Sequence, residues 1–142
     1  MSALIIGPFQ IDTLIFDFDG TLAKLNIDFD QMRALIRSLM ASHGIDENLL
    51  RAHYVLELIE DAAGLLRKRS PHQAEIFFRE ATALIETIET AAAQDGSLFP
   101  CTRDLLTGLQ SRGVKYGIIT RNCVRAVRMI FPDIQNYCSV LV

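Results

Sequence analysis

Cysteine is scarce in this chain and arranged for no pairing. Cys101, Cys123 and Cys138 are odd in number, widely spaced and free of any C-x-x-C arrangement. That argues against a disulfide framework and a zinc site, and it points to a reducing compartment. Positive charge is not in excess either. The 14 basic and 17 acidic residues give a net charge of −3 with no basic stripe, so neither DNA nor RNA is expected as a partner. The one basic run, Arg67-Lys68-Arg69, falls where a helical pattern ends and complements the helix dipole there. Long apolar runs are missing as well. The stretch from Met1 to Pro8 lacks a basic leader and is too short in apolar residues for a signal peptide or a membrane span. A cytoplasmic protein with no membrane partner is therefore expected. There is no internal repeat and no low-complexity tract, and His43, His53 and His72 have no mutual ligand spacing.

What is present is a foldable composition. Of 142 residues, 50% are hydrophobic and 22% charged, which suits one domain or a small core carrying an inserted module. Thr13 to Phe18 reads Thr-Leu-Ile-Phe-Asp-Phe, an apolar run of strand formers that ends in the turn signal Asp19-Gly20-Thr21. A second run, Tyr116 to Thr120, follows Gly113 and ends in Arg121-Asn122, and a third, Cys138 to Val142, finishes the chain. Between the last two, Cys123 to Phe131 has Val124, Val127 and Phe131 at helical spacing before Pro132, which completes a βαβ unit. A further helix, about Thr102 to Arg112, starts after Pro100, aligns Leu105, Leu106 and Leu109, and stops at Gly113 as a left-handed cap.

Residues 24–97 differ in kind, with helical periodicity and no convincing strand. The first segment, Asp28 to Ser42, carries Met32, Leu35, Ile36, Leu39 and Met40. The second, Asp46 to Arg69, has a break near His53. The third opens with Ser70-Pro71, an N-cap and a first-turn proline, and runs to about Gln94 with Ile76, Phe77, Ala81, Leu84, Ile85 and Ile88. The expected organisation is an α/β core with a partial Rossmann-like parallel sheet from residues 1–23 and 98–142, and an all-α insert over residues 24–97.

The chemistry gathers at the first strand. Asp17 and Asp19 are two residues apart across its end, and side chains at that spacing in an extended segment point the same way. At the C-terminal edge of a parallel sheet such a pair suits Mg²⁺, bound through oxygen, while one carboxylate attacks phosphorus. Without a cation the two charges would push one pKa up. The hydroxyl of Thr120 and nearby backbone N–H groups would neutralise phosphoryl oxygens, with Gly20 letting the backbone come close.

Ile15-Phe16-Asp17-Phe18-Asp19-Gly20-Thr21-Leu22 resembles the first signature of the haloacid dehalogenase superfamily. The resemblance implies that Asp17 forms an aspartyl-phosphate, that Asp19 is the general acid and base, and that Phe18 contributes its backbone carbonyl to Mg²⁺. The superfamily's dehalogenases generally lack the second aspartate, so Asp19 favours phosphate over halide chemistry. Gly117-Ile118-Ile119-Thr120 resembles the second signature, whose Thr binds phosphate. Many relatives carry Asn directly after it, whereas here Arg121 intervenes before Asn122. Arg121 is placed with Thr120, Asn122 and Gly20 in the phosphate-binding set, a surface arginine being the other reading, and Asn122 is expected to cap the helix starting at Cys123. The helical insert is similar to the small cap of the phosphoglycolate-phosphatase-like and phosphomutase-like branch. The implied activity is Mg²⁺-dependent hydrolysis of a small phosphorylated metabolite, with a mutase or a non-catalytic binding protein as alternatives.

Two later signatures of that superfamily are not met. Lys24, Lys68 and Lys115 are the only lysines and Asp133 is the sole acid after Thr120. Lys115 and Asp133 are both expected at the end of the sheet away from Asp17, and Lys24 is the alternative source of positive charge. A truncated chain or natural fragment is the expectation, with an open edge on the first strand that would pair with another copy.

Overall fold

The computed structural model describes residues 4–138. They form two compact units, one built from both ends of the chain, up to Asn26 and from Glu89 onward, and one from Ile27–Ile88.

The second unit is helical. Helix α1 (Phe29–Ser42) buries Met32, Ile36 and Met40, one per turn, and starts at Asp28, whose carboxylate accepts the Gln31 N–H at 2.8 Å. The segment expected over Asp46 to Arg69 is a 3₁₀ turn at Glu47–Leu49, an irregular stretch through Tyr54, and helix α2 (Val55–Arg69). The interruption falls where the break near His53 was expected. Helix α3 (Pro71–Gln94) begins after Ser70, whose hydroxyl accepts the Gln73 N–H at 3.3 Å. Ala74, Phe77, Ala81 and Ile85 of α3 join the apolar stripes of α1 and α2 in one core. Fully burying a side chain of this kind stabilises by about 1.5–3 kcal/mol before entropy is charged against it.

The α/β unit opens with a hairpin that the alternation of apolar residues does not announce. Strands β1 (Leu4–Ile6) and β2 (Phe9–Ile11) pair antiparallel around Gly7-Pro8. Strand β3 (Thr13–Asp17) then pairs in parallel with β6 (Lys115–Ile119), from Thr13 opposite Lys115 to Asp17 opposite Ile119. A short antiparallel ladder joins β4 (Ala23–Lys24) to β5 (Ser97–Leu98). Helices α4 (Thr102–Ser111) and α5 (Val124–Ile130) flank β6 in sequence, and Gly113 turns the chain out of α4 with φ +68. The core holds Phe18, Leu22, Leu106, Ile118, Val127 and Phe131. The class is α/β with a parallel strand pair, as the sequence indicated. The third strand expected over Cys138 to Val142 lies outside the described residues except for Cys138, which is buried and not in a strand.

Two side-chain ties fix this unit. The buried Thr102 hydroxyl donates to the Leu22 carbonyl at 2.6 Å, which joins the start of α4 to the turn that follows β3. Arg103 grips Asp133 through a fork of 2.6 and 2.7 Å, and its guanidinium lies 4.9 Å from the Phe131 ring centroid. That hydrogen bonding holds the Asp133 carboxyl below its ordinary range. No helix among the described residues is long and apolar enough to cross a membrane.

Replacing Thr102 by Val keeps the shape and removes the donor. The variant should lose about 1 kcal/mol of stability with an unchanged urea slope, whereas Thr102→Ser should retain most of it. An unaltered urea midpoint in Thr102→Val would show that the tie contributes nothing.

Candidate active site

The register of β3 and β6 sets the site. Thr13, Ile15 and Asp17 are exposed on one face of β3, while Leu14 and Phe16 are half-buried on the other. The ladder runs one step further, with the Phe18 N–H donating to the Ile119 carbonyl at 3.2 Å and also meeting Asp17 Oδ1 at 2.8 Å. Phe18 itself is fully buried. The chain then leaves the sheet in a tight turn, in which the Phe18 carbonyl accepts the N–H groups of Leu22 and Ala23 at 3.0 Å and of Thr21 at 3.3 Å.

This turn engages two backbone groups at the site. Gly20 is required for its φ of +77, and a Cβ there would meet nothing within 4 Å, so the need is conformational and not one of close approach. Its N–H is committed to the Ala23 carbonyl at 2.8 Å and is not turned toward a phosphate. The Phe18 carbonyl, expected on the metal, is likewise engaged inside the turn, since its lone pairs face three N–H groups.

Asp19 is the convergence point. Asn122 Nδ2 donates to its Oδ1 at 3.2 Å, and the Thr120 hydroxyl bonds to the same carboxylate. Burial pushes the Asp19 carboxyl above its ordinary range and the Asp17 charge adds to that, while the bonds from Asn122 and Thr120 pull it back. Thr120 and Asn122 thus both reach Asp19, and Asn122 does not cap α5. That cap is Cys123, whose Sγ accepts the Ala126 N–H at 3.4 Å. Asn122 sits one residue too early, with its amide buried against Asp19 and its own N–H donating to Thr120 Oγ1 at 3.0 Å. Arg121 is exposed on the same loop. Lys24 lines a cavity of about 110 Å³ with Asn26, Ala92 and Asp95, none of which belongs to the set around Asp19.

One residue of this neighbourhood escaped the sequence reading. Glu89 of α3 is 6% exposed, and its Oε2 accepts the Cys123 N–H at 2.8 Å, which anchors the end of the Thr120 loop. The signal was its place in the four-residue spacing Phe77, Ala81, Ile85, Glu89, Ala93, all of them buried.

The donors at hand suit a hard divalent cation. Asp17 and Asp19 supply carboxylate oxygens, and Asn122 Oδ1 is buried with no hydrogen-bond partner among the described residues. Mg²⁺ is commonly held by one or two carboxylates plus water and substrate phosphate, and two carboxylates meet that requirement. No group of three or more His, Cys, Asp or Glu poised to hold a metal occurs among the described residues.

A profile of the haloacid dehalogenase-like hydrolases matches residues 14–137. The chain belongs to that family. Among solved structures, it resembles a haloacid dehalogenase-like hydrolase of Bacteroides fragilis at 21% identity and a TM-score of 0.49, over 93% of this chain and 62% of that one. A protein described as a predicted phosphoglycolate phosphatase, from Haemophilus somnus, matches at 19% identity and 0.49, over 96% and 64% respectively. CbbY of Rhodobacter sphaeroides, solved with a xylulose bisphosphate, matches at 18% and 0.47, over 92% and 62%. The chain thus spans 62% and 64% of the first two of these proteins. No curated protein matches it.

The raised Asp19 pKa has a definite sign in stability. The folded chain holds that proton more tightly than the unfolded one, so the contribution of Asp19 is most favourable below its ordinary 3.8 and is lost as pH rises through the raised value. Asp19→Asn should therefore melt higher than the unsubstituted chain at neutral pH, by on the order of a few degrees. The gap should close in acid. A variant that melts lower at pH 7 would mean that the bonds from Asn122 and Thr120 outweigh the burial cost.

Proposed function

We propose that this chain carries the phosphoryl-transfer machinery of a Mg²⁺-dependent phosphatase acting on small phosphorylated metabolites in the cytoplasm. The observation that carries the reading is the grip of Thr120 and Asn122 on Asp19, one residue beyond the ladder that ends at Asp17. Asp17, exposed and at the strand end, is the nucleophile whose carboxylate oxygen bonds to phosphorus, giving an aspartyl-phosphate. Asp19 is the general acid and base, giving a proton to the departing oxygen and taking one back from the water that cleaves the acyl-phosphate. Bound Mg²⁺, held by the Asp17 and Asp19 carboxylates, would neutralise the repulsion between phosphate and carboxylate. Thr120, with Arg121 beside it, binds the phosphoryl oxygens, and Asn122 orients Asp19. The insert from Lys24 to Ser97 is assigned the role of a cap that selects among substrates and excludes water. Nucleic acid has no place in this reading, since the charge of −3 offers no basic face.

A phosphate-binding protein without turnover is the second reading, favoured by a donor set of two carboxylates among the described residues. The two separate in one assay. The chain should release phosphate from an aryl phosphate only with Mg²⁺, Asp17→Asn should abolish release, and Asp19→Asn should slow it by about 10²–10⁴-fold. Mg²⁺-enhanced binding of inorganic phosphate with no release by the unsubstituted chain would establish the second reading instead.

A further inference from the structure

Helix α3 carries a residue that its packing does not call for. Ala81 and Ile85 before Glu89 and Ala93 after it are all buried, and an apolar side chain at Glu89 would complete the stripe. A carboxylate stands there instead, 6% exposed. Taking a carboxylate out of water is costly unless it is hydrogen-bonded. Such a position departs from what folding alone selects, and departures of this kind gather at functional sites. The acceptor is directed to the site. Glu89 Oε2 takes the Cys123 N–H at 2.8 Å, and both residues belong to the α/β unit.

Peptide geometry carries this hold to Asp19. The Cys123 N–H lies in the planar peptide group that begins at the Asn122 Cα, so fixing that N–H fixes the plane on which the Asn122 side chain is mounted. Asn122 Nδ2 in turn donates to Asp19 Oδ1 at 3.2 Å. The Asn122 N–H donates to Thr120 Oγ1 at 3.0 Å, while the Thr120 hydroxyl bonds to the same carboxylate. Upstream, the loop is fixed by the ladder, where the Ile119 carbonyl accepts the Phe18 N–H. Downstream, the Cys123 carbonyl accepts the Val127 N–H at 3.1 Å as α5 begins, and Glu89 holds the Cys123 amide.

We infer that Glu89 is a positioning residue for the proton transfers of Asp19, acting through the Cys123 amide and the Asn122 side chain, a role that rests on those proposed above for Asp17 and Asp19. The hydrogen bond at Asp19 Oδ1 sets the rotation of the carboxyl group. It thereby sets the direction in which the other oxygen meets the departing oxygen or the attacking water. Proton transfer requires hydrogen-bond reach between those atoms, and a loop released at Cys123 leaves the carboxyl in place but misdirected. Attack on phosphorus by Asp17, at the end of β3, lies outside this series of contacts. Loss of Glu89 therefore slows the steps that move a proton and spares the one that does not.

Two variants separate this role from a structural one. Glu89→Leu continues the apolar stripe and removes the acceptor, whereas Glu89→Gln keeps an acceptor oxygen. In Glu89→Leu the urea midpoint should hold or rise. The Asn122 side-chain amide protons, identified by nitrogen-15 NMR through their absence in Asn122→Asp, should nonetheless exchange with solvent about tenfold faster. The Ile118 amide in β6 should exchange as before, and Glu89→Gln should restore the slow exchange at Asn122. With Mg²⁺, kcat/KM of Glu89→Leu should fall by about tenfold or more for phenyl phosphate. It should fall much less for nitrophenyl phosphate, whose departing oxygen needs no proton, and Glu89→Gln should recover most of the rate. If the unsubstituted chain releases no phosphate, the phosphatase reading fails, and the exchange comparison still decides whether Glu89 positions Asn122. Asn122 protons that exchange no faster in Glu89→Leu overturn the inference, as does a Glu89→Leu chain that does not fold or an equal loss of rate on both esters.

Discussion

The parallel ladder between β3 and β6 is the constraint on which the rest of the α/β unit depends. Asp19 and Asn122 are 103 residues apart in sequence and meet because Asp17 is held opposite Ile119. Strand periodicity makes this register strict. A slip by one residue would turn Asp17 toward the face where Phe16 sits and expose Phe16 in its place. The long insertion between the two strands adds little to the cost of pairing, since closure entropy grows only with the logarithm of loop length. A helical segment with its own core can therefore be inserted in the sequence between the two paired strands.

Around that ladder one carboxylate is held against its own burial cost. A carboxylate half-buried beside another one is unfavourable, and Asp19 is held there by two donors from a single loop. That loop is itself anchored at both ends, by β6 before Thr120 and by Glu89 on the Cys123 N–H. On the other side, the turn through Gly20 is closed by three N–H groups on one carbonyl and tied to α4 through Thr102. The aspartate pair is thus bounded by rigid connections on both strands, which limits how far either carboxylate can drift.

Much of this was legible in the sequence, for identifiable reasons. Strand β3 shows as an uninterrupted apolar run broken by Asp-Gly, and α1 to α3 show as stripes of the right period with capping residues at Asp28 and Ser70. The aspartate pair and Thr120 were found because strand ends fix where such residues point. What was missed depends on distant contacts. The hairpin at Leu4–Ile11 lacks polar alternation, and only the Gly7-Pro8 pair marked its turn. The β4 and β5 ladder is two residues long and leaves no periodic trace. Asn122 looked like a local helix cap, yet burial drew its amide to Asp19, and Glu89 passed as one more polar residue of a helix. The engaged Phe18 carbonyl and Gly20 N–H are backbone matters that residue types do not report.

The central claim is that Asp17 takes the phosphoryl group. Its most direct test is to mix the chain with an aryl phosphate and Mg²⁺, quench in acid within the first turnover, and map the mass of one added phosphoryl group by peptide. The account predicts the adduct on the peptide containing Asp17, and its accumulation in Asp19→Asn, where the water that cleaves it lacks a base. Phosphate release with no adduct, or an adduct on any other residue, would contradict it.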